Sequence, residues 1–163
     1  MQRLSGVKTT WHITWGTYGT RLHGGERPTV DRAHNQRGEP FMEYDPELEE
    51  RKRRQMKSPP VHLTREQQAF MQTLIPDLCK HGGWDLRICA ADHDHVHVLL
   101  DIDTRIHGER ARRLLKRWLT QAMNEKWPRP ANGTWWAEEG SNRPVKDESY
   151  FNSAYRYIEK QRA

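Results

Sequence analysis

The chain has 163 residues, 34% hydrophobic and 30% charged, and 27 basic against 22 acidic residues give it a formal charge of +5. That length suits one domain with its own core; no stretch approaches the roughly 20 apolar residues of a membrane span. The opening Met1-Gln-Arg-Leu-Ser-Gly6 lacks the apolar run of a signal peptide, so a cytoplasmic protein with no membrane partner is expected.

Val7 to Tyr18 is rich in β-branched and aromatic residues and reads as a first strand, ended by Gly19. An irregular basic stretch follows to about Pro40, with Gly24-Gly25, Pro28, Arg32, His34, Arg37 and Gly38, longer than an ordinary connection. Asp45-Pro46 then opens a helix with Glu47, Glu49 and Glu50 early and Arg51, Lys52, Arg53, Arg54 and Lys57 late, the charge order that a helix dipole favours; Pro59-Pro60 stop it. Together these segments form a basic insertion at about 19–60 within a single 1–163 domain.

Thr64-Arg-Glu-Gln67 is a capping box for a helix that buries Phe70, Met71, Leu74, Ile75 and Leu78 and ends at Gly82-Gly83, with Pro76 expected to kink or split it. Cys79 on this helix and Cys89 on the next strand fit no metal spacing and read most simply as buried free thiols, with a disulfide left open. Asp85–Ala91 and His95–Ile102 read as antiparallel strands joined by a short turn. In the second strand Val96, Val98 and Leu100 share one face while His95 and His97 project from the other, roughly 6–7 Å apart at Cα. Such a pair holds one metal ion, or belongs to a solvated face; Asp92, His93 and Asp94 beside it add further ligand types.

Glu109–Lys126 is the clearest helix, with Ala111, Leu114, Leu115, Trp118, Ala122 and Met123 as its apolar stripe. Arg112 and Lys116, and Arg113 and Arg117, stack at i,i+4, as a solvated face or as contacts for phosphates. Seven tryptophans in a basic chain suit nucleic acid, where exposed rings stack on bases, though tryptophans are more often core residues and Trp118 is expected in the core. Pro128–Gly133 is a loop, and Trp135–Pro144 a final strand or extended edge. Asp147 caps a last helix in which Phe151, Ala154, Tyr155 and Ile158 supply the buried side. Tyr157 and Gln161 share one face of it at i,i+4, and spacing alone leaves Tyr157 as packed aromatic or nucleophile. The order of elements gives an α+β fold, an antiparallel sheet with helices packed against it.

His95-Val-His97 followed by Tyr157-Ile-Glu-Lys-Gln161 resembles, in order and spacing, the single-tyrosine HUH transposases, which include the REP-associated tyrosine transposases. The resemblance extends to the opening strand Trp11-His-Ile-Thr-Trp-Gly-Thr-Tyr-Gly19 and to Trp135-Trp136 through Arg143; where the family commonly has Asn before the first metal histidine, this chain has Asp94. It implies a ferredoxin-like core, His95, His97 and Gln161 as ligands of Mg²⁺ or Mn²⁺ with zinc the rival, and Tyr157 as nucleophile. It implies a single-stranded DNA endonuclease and strand transferase working through a covalent 5′-phosphotyrosine, with no nucleotide cofactor and commonly as a homodimer.

Single-stranded or hairpin DNA would meet the Gly19–Pro40 loop, the cluster Arg51, Arg53 and Arg54, and the face of Arg112, Arg113, Lys116 and Arg117. A replication-initiator or relaxase-like nickase would use the same constellation. A domesticated module would bind DNA without cutting it, and a metal-dependent hydrolase would use the histidines with Glu138 or Glu139 and not Tyr157.

Overall fold

The computed structural model describes residues 6–20, 45–55 and 58–162. Strands β1 (Lys8–Thr17), β2 (Asp85–Ala91), β3 (His95–Asp103) and β4 (Trp136–Val145) form one sheet in the order β2-β3-β1-β4, with every neighbouring pair antiparallel. The helices are α1 (Pro46–Gln55), α2 (Arg65–Gly82), α3 (Gly108–Lys126) and α4 (Glu148–Lys160). The run β1-α2-β2-β3-α3-β4 in this strand order is the ferredoxin-like α+β arrangement. The irregular stretch after β1 lies, from residue 21 to 44, outside the described residues, as does Lys57.

The period-2 pattern of the strands divides the sheet into two unequal faces. On one, Trp11, Ile13, Trp15, Val96, Val98, Leu100 and Ile102 pack against Met71 and Ile75 of α2 and Ala111, Leu115, Leu119 and Met123 of α3. On the other, a small cluster of Ile88, Ala90 and Leu99 receives only Ala154 and Ile158 of α4 as fully buried partners. The helix ends follow local chemistry: Thr64 and Gln67 form the reciprocal capping box, Gly83 closes α2 at φ 80°, and the Asp147 carboxylate accepts from the Tyr150 N–H at 2.7 Å. At Gly108 a Cβ would stand 2.5 Å from the Trp11 ring, so the first turn of α3 rests directly on β1.

One open reading is decided and one expectation is corrected. All seven tryptophans belong to the main core, five of them buried and Trp118 and Trp127 partly so, which leaves none as an open stacking face. Their positions on the inner face of β1 and along the α2 and α3 contacts make their large apolar rings core fillers. Helix α2 also runs unbroken through Pro76. Proline has no N–H to donate to the carbonyl of Gln72, four residues earlier, and the Cys89 thiol donates to that carbonyl at 3.7 Å instead. Both cysteines are free and buried, and burial pushes their thiols up to about 12 for Cys79 and about 11 for Cys89.

If the thiol stands in for the missing amide, Cys89→Ala and Pro76→Ala are coupled, because an alanine in place of Pro76 supplies its own N–H to the Gln72 carbonyl. Cys89→Ala should then cost on the order of 0.5–1 kcal/mol more in the native background than in Pro76→Ala, read from a urea double-mutant cycle. Additive effects within about 0.3 kcal/mol would show that the thiol contact carries no energy.

Candidate active site

Strand β3 turns Val96, Val98, Leu100 and Ile102 into the main core, which commits His95, His97, Leu99 and Asp101 to the α4 side. The antiparallel register then sets a polar row beside them: Gly16 opposite His95, Thr14 opposite His97 and His12 opposite Leu99, continued on β4 by Ser141 beside Thr14 and Arg143 beside His12. His95 and His97 are each only 5% exposed, and their rings meet edge to face with centroids 4.4 Å apart.

Helix α4 brings two tyrosines to this row. The Tyr157 ring meets His97 edge-on with centroids 5.2 Å apart, and at 48% exposure Tyr157 keeps a wide opening to solvent. Tyr150, two turns earlier, shares a 3.3 Å hydrogen bond with Nδ1 of His12, and the His12 ring stacks on His97 at 5.8 Å. Burial, helped by the Arg143 charge, pushes the His12 imidazole down to about 4, so it is neutral at pH 7. His12 is a site residue that the sequence reading passed over. Its signal was available, since it alternates with the core residues Trp11 and Ile13 and so faces the same side as the histidine pair.

Asp94 is 1% exposed, and its Oδ1 lies 2.5 Å from Nδ1 of His95. Asp92, Asp94 and His95 bring potential ligand atoms within 4.8 Å of one another. Gln161 forms the C-cap of α4, half-buried and one turn beyond Tyr157. The donor chemistry suits a divalent cation. With metal–nitrogen bonds of about 2.1 Å, two imidazoles at roughly a right angle about one ion place their centroids about 4.5 Å apart, close to the observed spacing.

The basic residues separate into two groups. Arg112 is buried and donates to Asn142 Oδ1 at 3.1 Å, and Lys116 donates to the carbonyls of Ala137 at 2.7 Å and Glu138 at 3.3 Å. Both therefore lie in the seam between α3 and β4, whereas Arg113 and Arg117 are exposed. On α1, Arg53 pairs with Glu49 and Arg54 with Glu50 at i,i+4, and Arg51 is exposed.

Residues 55–161 match the family described as transposase IS200-like, a span that contains β3 and α4 together. The chain belongs to the IS200-like transposase family. In general terms that makes it a DNA-cleaving transposase. The matched span includes His95, His97, Tyr157 and Gln161, while His12 on β1 lies before it. The chain is also similar to a crystal structure assigned as a transposase, from Deinococcus radiodurans R1, with 18% identity and a TM-score of 0.48 over 100% of this chain and 98% of that one. No curated protein matches it. Among the described residues of this transposase no helix is long and apolar enough to cross a membrane.

The seam position of Lys116 has a measurable consequence. Burial, with the nearby Arg112 charge, holds its ammonium down to about 8 from an ordinary 10.5. Between those values the unfolded chain binds the extra proton, so stability rises as pH climbs from 8. The thiols work in the opposite direction above their ordinary 9.0, where only the unfolded chain ionises them. Denaturant melts from pH 8 to 9 should therefore show rising stability that is lost in Lys116→Met; an equal slope in that variant would mean that Lys116 is solvated rather than seated in the seam.

Proposed function

We propose that this transposase is a metal-dependent single-stranded DNA endonuclease and strand transferase in which Tyr157 is the nucleophile. The observation that carries the reading is the approach of Tyr157 to His97 across the gap between α4 and β3, with the phenol still open to solvent. Tyr150 occupies the same helix face, but its hydroxyl is tied to His12. A divalent ion held by His95, His97 and Gln161, Mg²⁺ or Mn²⁺ in preference to zinc, would offset the charge on the scissile phosphate when bound.

In the reaction the Tyr157 oxygen forms a bond to phosphorus as the bond to the 3′ oxygen breaks. The phenol gives its proton to solvent and the departing oxygen takes one up, leaving a 5′-phosphotyrosine and a free 3′-hydroxyl. Attack by a 3′-hydroxyl on that linkage rejoins the strand, so no nucleoside triphosphate is required. The shallow, solvent-facing position of Tyr157 supports a strand that lies across the α4 face of the sheet. Arg113 and Arg117 on α3, which packs on the other side of the sheet, and the α1 cluster of Arg51, Arg53 and Arg54 would meet phosphates where the strand continues past the sheet, and Arg112 and Lys116 fix α3 to β4. The working unit is a homodimer acting on single-stranded or hairpin DNA in the cytoplasm, and the whole chain forms one domain with a basic insertion at about 19–60.

A denaturing gel with labelled single-stranded DNA from the genomic flanks and Mn²⁺ tests the reading. The native protein and Tyr150→Phe should form a covalent adduct and Tyr157→Phe should form none; an adduct that persists in Tyr157→Phe would reject the assignment. Gln161→Ala should lower the cleavage rate more than Mn²⁺ affinity, since a positioning error of about 1 Å is costly. Normal cleavage in that variant would make Gln161 a plain surface residue.

Binding to single strands should weaken in Arg113→Ala and Arg117→Ala, with the salt slope reduced by about 0.7 for each phosphate that is no longer neutralised. An unchanged slope in both variants would mark this face as ordinary solvated surface.

A further inference from the structure

Asp94 is nearly sealed from solvent at 1% exposure, and its backbone is pinned. Its carbonyl accepts from the Thr17 N–H at 2.9 Å and from the Thr17 hydroxyl at 3.3 Å, at the fully buried end of β1. The carboxylate is thereby fixed against the first histidine of β3, with Oδ1 2.5 Å from Nδ1 of His95, while Oδ2 stands 3.6 Å from Nε2 of His93.

We propose that Asp94 is a positioning residue that locks His95 as the Nδ1–H tautomer, so that Nε2 is the nitrogen offered to the divalent cation. The inference rests on the proposed reading of His95 as a metal ligand. An ionised carboxylate has no hydrogen to donate, so the proton of the shared bond resides on Nδ1 and the lone pair of a neutral imidazole is left on Nε2. An asparagine at this position would be indifferent, because its oxygen supports one tautomer and its NH₂ the other. The aspartate removes that choice. The same bond holds the ring in one orientation, so that Nε2 is presented in a fixed direction.

The competing arrangement uses Asp92 and Asp94 as direct ligands together with His95. It would place the cation among the carboxylates and displace the bond between Asp94 and Nδ1. The two arrangements predict different behaviour of Asp92.

Nitrogen-15 NMR of the histidine rings, in metal-free protein at about pH 8, reads the tautomer without any catalysis. Calorimetry with Mn²⁺ reads the affinity. The native protein should show His95 protonated at Nδ1. Asp94→Asn should show mixed tautomers and bind Mn²⁺ about 10- to 100-fold more weakly, Asp94→Glu should recover much of that loss, and Asp92→Asn should bind as the native protein does. His95 protonated at Nε2 in the native protein would overturn the proposal, and this measurement decides the matter even if Asp94→Asn fails to fold. Equal losses in Asp92→Asn and Asp94→Asn would overturn it in favour of direct carboxylate ligation. A native protein that shows the Nδ1–H tautomer and the loss in Asp94→Asn, yet forms no DNA adduct, supports the role of Asp94 and contradicts the strand-transfer reading. Adduct formation with His95 protonated at Nε2 does the reverse.

Discussion

Strict alternation along β3 sets what each face of the sheet can carry. Four consecutive inward side chains, Val96, Val98, Leu100 and Ile102, are completely buried in the main core, and that burial fixes the strand's register against β1 and β2. A shift of one residue would drive His95, His97 and Asp101 into the apolar core and expose the aliphatic set, a change that no local adjustment offsets. The large core under α2 and α3 thus holds two histidines rigidly on the opposite face. A site built on a central strand is more accurately placed than one on a loop.

The face that carries the histidines is held far less firmly. Helix α4 contributes only Ala154 and Ile158 as fully buried residues, and its attachment continues through the Arg162 guanidinium, which donates to the Cys89 carbonyl at 2.7 Å. Cys89 therefore serves both faces of the sheet, with its thiol directed to α2 and its carbonyl to the end of α4. Aromatic contacts complete the docking, since His97 touches Tyr157 and His12 bonds to Tyr150. The helix that presents the phenol thus sits on a small apolar footing with polar anchors at both ends.

What the sequence made legible follows from how local each signal is. The histidine pair, the capping box at Thr64, the Asp147 cap and the shared face of Tyr157 and Gln161 depend on periods of 2 or 3.6 residues and on adjacent hydrogen bonds, which the chain carries within itself. The fate of Arg112 and Lys116 was not readable in this way. A helical repeat places them on a common flank, but only the docking of β4 decides that this flank is covered. That docking depends on Gly140, where a Cβ would lie 2.6 Å from the Thr14 carbonyl and 2.8 Å from the Arg112 side chain. Pro76 misled for a related reason, because the group that meets the Gln72 carbonyl comes from Cys89, a strand away in sequence. His12 was hidden among the tryptophans of its own strand, and only strand order brings it onto His97.

In the proposed reaction, docking of α4 on the histidine face selects one phenol over its neighbours. Peptide mapping by mass spectrometry of the protein trapped on single-stranded DNA with Mn²⁺ tests it most directly. The nucleotide should be found on Tyr157, with Tyr150 and Tyr155 unmodified. A nucleotide on Tyr150, whose hydroxyl is bonded to His12, would contradict the selection that this geometry describes.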